Sequence, residues 1–225
     1  MIASWPCPAP DGGTVDEYAF GFDRSRAHRL LIIPALFDEA NRMRRLTIET
    51  MRRLDQAGID SFLPDLPGSN ESQQPLGRVS LGDWSQAMTC AAQHFRASHV
   101  LSIRGGALVV PQDLPGWRYA PVGGASILRQ MLRMRILAAR EAGPEETQSG
   151  LLEVGLRDGL NLAGFPLSPA MIADLQTAMP PEGTEQSIIG QDMLGGGALW
   201  LRAEPDEDRG QADALAAVIA VGIRT

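Results

Sequence analysis

Lysine is missing from this chain; all 20 of its basic residues are arginine. That absence removes phosphate-loop lysine chemistry and Schiff-base catalysis, because both need a primary amine. Cysteine is scarce, with Cys7 and Cys90 far apart, so neither a disulfide framework nor a cysteine metal site is expected. Histidine occurs only at His28, His94 and His99. None is spaced as HxxxH or HExxH and none lies beyond residue 99, so no metal or other cofactor is expected. No apolar run approaches the ~20 residues of a membrane span. The opening MIASWPCPAPDGG lacks the basic start and the apolar core of a secretory signal, so a cytoplasmic location is the expectation. Positive charge is in deficit: the formal net charge is −7, and nucleic acid is a poor guess as a partner.

What is present reads as an ordinary globular chain of 225 residues, 44% hydrophobic. RLLIIPAL (29–36) is the pattern of a strand buried on both faces. In DEANRMRRLTIETMRRLDQAG, Met43, Leu46, Thr47, Met51 and Leu54 recur at helical spacing and Gly58 closes the helix. DSFLPDLPG (60–68) predicts a strand running into a loop, LGDWSQAMTCAAQHFRAS (81–98) a helix, HVLSI (99–103) a strand and RYAPV (118–122) another. SILRQMLRMRILAAREAG (126–143), with Ser126 as cap, predicts an arginine-dotted amphipathic helix, and GPEETQSG (143–150) an exposed turn. Further on, 168–179 predicts a helix capped by Ser168, 185–190 and 198–205 strands, and 211–223 a closing helix. Alternating strands and helices imply an α/β fold with a mostly parallel sheet and helices on both faces. The simplest partition is one domain over 1–225, with a helical cap inserted at about 126–180.

The most informative stretch is VLSIRGGALVV (100–110). A strand running into a turn with small residues at Ser102, Gly105 and Gly106, followed by an expected helix, has the layout of a nucleophile elbow. Arg104 stands where the nucleophile would be. DLPGSNES (65–72) resembles the D-x-x-G-x-G-x-S loop of α/β-hydrolases, with Asn70 in place of the second glycine. With PALFDEANRMRR (34–45), SIRGGAL (102–108), APVGGASILRQMLRMR (120–135) and LNLAGFPLSPAM (160–171), these residues make the chain similar to the exosortase A system-associated hydrolases of the second type. The resemblance spans roughly residues 29 to 205. It implies an α/β-hydrolase fold and a setting beside bacterial exopolysaccharide and protein-sorting systems; in that family, too, the elbow tends to carry arginine. A fold does not fix a function.

Acyl transfer needs a nucleophile, a base and oxyanion donors. Arginine is permanently protonated and cannot attack a carbonyl. The stretch EPDEDRG (204–210), where this fold would supply its histidine, contains none. A Ser-His-Asp mechanism using Ser72 or Ser102 is therefore not expected, and the pair Glu204 and Asp206 has nothing to position a substrate. The loop Pro34-Ala35-Leu36-Phe37-Asp38-Glu39 should approach the elbow, where a buried guanidinium is costly unless paired. An ion pair from Asp38 or Glu39 to Arg104 is the first expectation. The second makes the same cluster a site for a small anionic ligand, built from Arg104, Gly105, Leu36, Phe37, Asp38 and Glu39, with Asn41 and Arg45 bracing the loop. Three function classes follow: a silent hydrolase homologue that binds a ligand or partner, a hydrolase using Asp38, Glu39 and a water, and an interaction protein with a blocked cleft. The basic helix at 126–140, carrying Arg129, Arg133, Arg135 and Arg140, reads as a lid, or otherwise as a peripheral membrane contact.

Overall fold

The computed structural model describes residues 1–139, 146–183 and 185–224. The chain opens with an antiparallel hairpin, β1 (Ile2–Pro8) and β2 (Thr14–Phe22), for which the sequence reading had no counterpart. Then follow β3 (Arg29–Ile33), α1 (Asp38–Gln56), β4 (Asp60–Pro64), α2 (Leu81–His94), β5 (His99–Ile103) and β6 (Gly116–Tyr119). After these come α3 (Gly124–Ala139), α4 (Gln148–Asp158), the small hairpin β7 (Leu160–Leu162) and β8 (Phe165–Leu167), α5 (Pro169–Thr177), β9 (Gln186–Ile189), α6 (Gln191–Leu194) and α7 (Arg209–Gly222). One seven-stranded sheet runs in the order β1-β2-β4-β3-β5-β6-β9. From β4 through β9 every neighbouring pair is parallel, and β2 joins β4 antiparallel.

The fully apolar β3 sits inside the sheet because both its faces are covered. Leu30 and Ile32 join a core with Met43, Leu46, Met51 and Leu54 of α1 and Leu215 and Ile219 of α7. Leu31 and Ile33 join the opposite core, with Trp84 and Met88 of α2, Ile127 and Met131 of α3, and Ile172 and Leu175 of α5. The alternation of side chains along a strand produces this division. Capping follows local chemistry. Ser80 and Asp83 form a reciprocal capping box on α2, Ser168 caps α5 as expected, and Asp208 caps α7.

Four expectations need correction. No α-helix follows the turn at Arg104: residues 104–108 make a short 3-10 turn, and the chain passes directly to β6. The β-branched Val109 and Val110, with Pro111 and Pro115 behind them, explain why a helix does not propagate. Residues 198–205 are not a strand; Leu199–Leu201 form a 3-10 turn in which Leu199 and Trp200 are buried by packing instead of pairing, while Leu201 is exposed. Ser126 lies inside α3, which begins at Gly124, where a Cβ would sit 2.5 Å from the carbonyl oxygen of Leu175. The strand expected at 118–122 is instead Gly116–Tyr119, ended by Ala120 at φ 44 and by Pro121. The stretch between β6 and β9, taking in the expected 126–180 insertion, is α3, α4, the β7–β8 hairpin and α5. Arg140 and residues 143–145 of the expected exposed turn lie outside the described residues, and the end of that turn, 148–150, is instead the start of α4, capped by Thr147.

Candidate functional site

β5 ends beside β3, where the strand order reverses in the parallel part of the sheet, the place where α/β sheets form clefts. Arg104, the next residue, has φ 53, a left-handed conformation that costs a residue with a Cβ roughly 1–2 kcal/mol. The small neighbours make the corner possible. A Cβ on Gly106 would lie 2.4 Å from the carbonyl oxygen of Pro34, and one on Gly105 would lie 2.6 Å from Ile127 Cδ1. Ser102 is fully buried.

The expected ion pair forms with Glu39. Arg104 donates from Nε to Glu39 Oε2 at 3.0 Å and from Nη2 to Oε1 at 3.1 Å, a bidentate fork. Its Nη1 donates to the carbonyl of Ala120 at 2.8 Å, and its guanidinium carbon lies 4.1 Å from the ring centroid of Trp200. The side chains of Arg104 and Glu39 are only 13% and 10% exposed. Asp38 turns instead to Arg42, whose Nη1 donates to the carbonyl of Trp200 at 2.9 Å. Start of α1, elbow, end of β6 and the 199–201 turn are thus tied into one cluster. Tyr119 closes its far side by donating to Gln191 Oε1, and burial raises the Tyr119 phenol to about 12.

The other residues singled out by sequence disperse. Arg45 pairs with Glu207 on the outer side of α1, away from Arg104. Leu36, Phe37, Asp38 and Glu39 line a crevice of only about 20 Å³, closed from the other side by Ile127, Met131 and Met134 of α3. Neither this crevice nor the larger cleft beside it has Arg104 or Gly105 in its lining. Phe37 and Asn41 do line a larger cleft, about 360 Å³, one loop further toward β4. Its walls are the loop after β3, residues 66–70 after β4, and Gly164–Pro166 at the tip of the β7–β8 hairpin. Sequence reasoning named none of Trp200, Ala120, Ser69 and Phe165 as site residues; Ala120, Ser69 and Phe165 lie in stretches that carry the family resemblance, and the rule for loops at strand ends also points toward Ala120 and Ser69.

The DLPGSNES loop is a structural knot. Asp65 accepts from Asn70 Nδ2 at 2.7 Å, and burial pushes the Asp65 carboxyl above its usual range. Ser72 Oγ accepts from the Gly68 amide at 2.8 Å and donates to the buried Glu17 at 2.6 Å, so this hydroxyl is committed to the fold. The histidines lie at the opposite end of the sheet: His99 opens β5, five residues or about 17 Å of extended chain before Arg104. Glu204 and Asp206 are exposed, and Asp206 pairs with Arg202. Among the described residues no group of three or more His, Cys, Asp or Glu could hold a metal ion, and no helix is long and apolar enough to cross a membrane.

Neither a family model nor a curated protein matches this chain. Solved structures do. A malate-bound thermophilic esterase from Thermogutta terrifontis aligns at a TM-score of 0.57 and 13% identity, covering 100% of this chain and 98% of that one. Alpha/beta hydrolase domain-containing protein 10 from mouse aligns at 0.53 and 10% identity, over 100% and 98% of the two chains. Est1E from Butyrivibrio proteoclasticus, with ferulic acid bound, aligns at 0.53 and 12% identity, over 96% and 95%. At such identities the likeness is one of architecture. It agrees with the strand order and with the sharp turn after β5: the chain has the α/β-hydrolase fold, with an arginine at the tip of that turn.

Proposed function

We propose that this chain is a non-hydrolytic protein of the α/β-hydrolase fold that acts by binding, its nucleophile position given over to an ion pair. The bidentate Arg104–Glu39 pair, roofed by Trp200, carries this reading. A guanidinium supplies no lone pair for attack, and no histidine follows residue 99 to serve as base. Hydrolysis through Asp38, Glu39 and a water would first require both carboxylates to leave their arginines. An anion would likewise reach Arg104 only by displacing Glu39. The open cleft of about 360 Å³ beside the elbow favours a binding role over a blocked-cleft scaffold. The similarity to exosortase A system-associated hydrolases supplies the setting: a cytoplasmic role in exopolysaccharide assembly or protein sorting, with a small molecule or a protein as partner. Membrane contact through α3 has little apolar surface to use, because Ile127, Leu128, Met131 and Leu132 are spent on the core and Met134 and Leu137 are left exposed.

The purified protein is expected to release no nitrophenol above buffer from p-nitrophenyl acetate through octanoate, and Glu39→Gln should change nothing. Turnover by the wild type that disappears in Glu39→Gln overturns the proposal and promotes the acid-and-water mechanism.

A further inference from the structure

We infer that the cleft between the β3 loop, the β4 loop and the β7–β8 hairpin is a binding site for an uncharged, partly planar small molecule bearing an amide, carbonyl or hydroxyl group. The inference deepens the binding reading above and rests on it. About 360 Å³ is within the range of small-ligand pockets. The wall is apolar, with Phe37, Leu66, Leu76 and Phe165, and no charged side chain lines it among the described residues. Three uncharged polar side chains supply the hydrogen bonds. Asn70 has one amide hydrogen engaged by Asp65, which fixes the group and leaves its Oδ1 as an acceptor. The side chains of Asn41 and Ser69 have no protein hydrogen-bond partner among the described residues.

The cleft is built, not incidental. Phe37 has φ 55 and ψ −132, a conformation in which residues other than glycine are strained, and such strain persists only where the surroundings enforce it. Its ring is wedged between Trp84, 5.4 Å away, and Phe165, 5.5 Å away and edge-on. Gly68, at φ +78, lets the β4 loop close on Leu76, whose Cα would be 2.6 Å from any added Cβ. The hairpin tip at Ala163 and Gly164 has positive φ at both turn residues and is followed by Phe165, which forms part of the cleft wall. An ion of either sign entering this site would shed water and meet no charged side chain in the lining to pair with.

Benzamide, benzoate and benzamidine share one ring and differ in charge, so they separate the ligand classes. In titration calorimetry or ligand-observed NMR, benzamide should bind saturably, and benzoate and benzamidine at least about tenfold more weakly, equivalent to ~1.4 kcal/mol. Asn41→Trp, at an exposed helix position, and Ala40→Phe should each weaken benzamide about tenfold or more with an unchanged melting temperature, because both fill the cleft. Benzoate binding tighter than benzamide and lost in Arg104→Ala overturns the inference in favour of an anion site at the elbow. Benzamide binding unaffected by both cleft-filling variants also overturns it, as does failure of all three compounds to bind. Those failures concern the ligand class; the ester assay reports separately on the non-hydrolytic reading.

Discussion

At the scale of single residues, the decisive feature is a charge placed where the backbone is most sharply bent. Removing one member of a buried pair leaves the other uncompensated, whereas replacing both with apolar groups of similar volume is close to neutral or stabilising. Arg104→Ala should therefore cost about 3–5 kcal/mol in urea denaturation, and the double variant Arg104→Met/Glu39→Leu should recover most of it. A cost below about 1 kcal/mol for Arg104→Ala would put the pair among solvent-screened surface bridges. At the other end of β5, His99 stacks on Trp117 at 6.0 Å and faces His28 at 6.4 Å. Burial first, then the charge of His28, holds its pKa below the ordinary 6.5. The unfolded chain thus takes up a proton below pH 6.5 that the folded one resists, and stability should fall as pH drops through that window. His99→Phe should flatten this dependence, read as the denaturation midpoint across the same pH range. Cys7, pushed up to about 12 by burial and by Glu17, should resist alkylation in the native state, whereas the half-buried Cys90 should react first. Mass mapping after iodoacetamide treatment checks this, and rapid labelling of Cys7 would contradict its burial.

At the scale of elements, the elbow works without the α-helix that its sequence suggested. The 3-10 turn at 104–108 packs under Pro34 and against Ile127 of α3, so contacts from two other segments hold the corner that a helix would otherwise brace. Gly106 shows what this demands. An alanine there meets backbone oxygens of Pro34 at 2.4 Å and Ile33 at 2.9 Å, neither on a flexible side chain. Gly106→Ala should destabilise by about 2 kcal/mol or more, a cost of overpacking. Gly12→Ala, where φ is +87 but nothing lies within 4 Å, should cost only about 1–2 kcal/mol of backbone strain. Thermal melts of the two variants side by side test the ranking. Element-level reading succeeded where one apolar stripe had one destination: β3, α1, β5, and α5 behind its Ser168 cap. It failed at 198–205, since Leu199 and Trp200 are as apolar as a strand requires but meet no free sheet edge. The β1–β2 hairpin escaped because Pro6 and Pro8 interrupt its first strand and the buried Glu17 interrupts the apolar side of its second.

At the scale of the whole molecule, the two cores meet across one sheet, and α3 and α5 share the core that contains Leu31, Ile33 and Val100. The 126–180 segment should then unfold with the sheet. Fluorescence from Trp5, Trp84, Trp117 and Trp200, all outside that segment, should trace the same urea transition as far-ultraviolet circular dichroism. An earlier transition seen only by circular dichroism would mark the segment as a separate unit. The amino-acid sequence by itself determined the periodic elements, the sharp turn with a permanently charged residue at its tip, and the missing histidine after residue 99, because each depends on residue type and local spacing. Only the tertiary structure decided that Glu39 and not Asp38 reaches Arg104, that Trp200 covers it, and that the usable space lies one loop away between Phe37, Asn70 and Phe165. Those outcomes depend on how segments as far apart in the chain as Phe37 and Phe165 are packed beside one another, and no local pattern records that proximity.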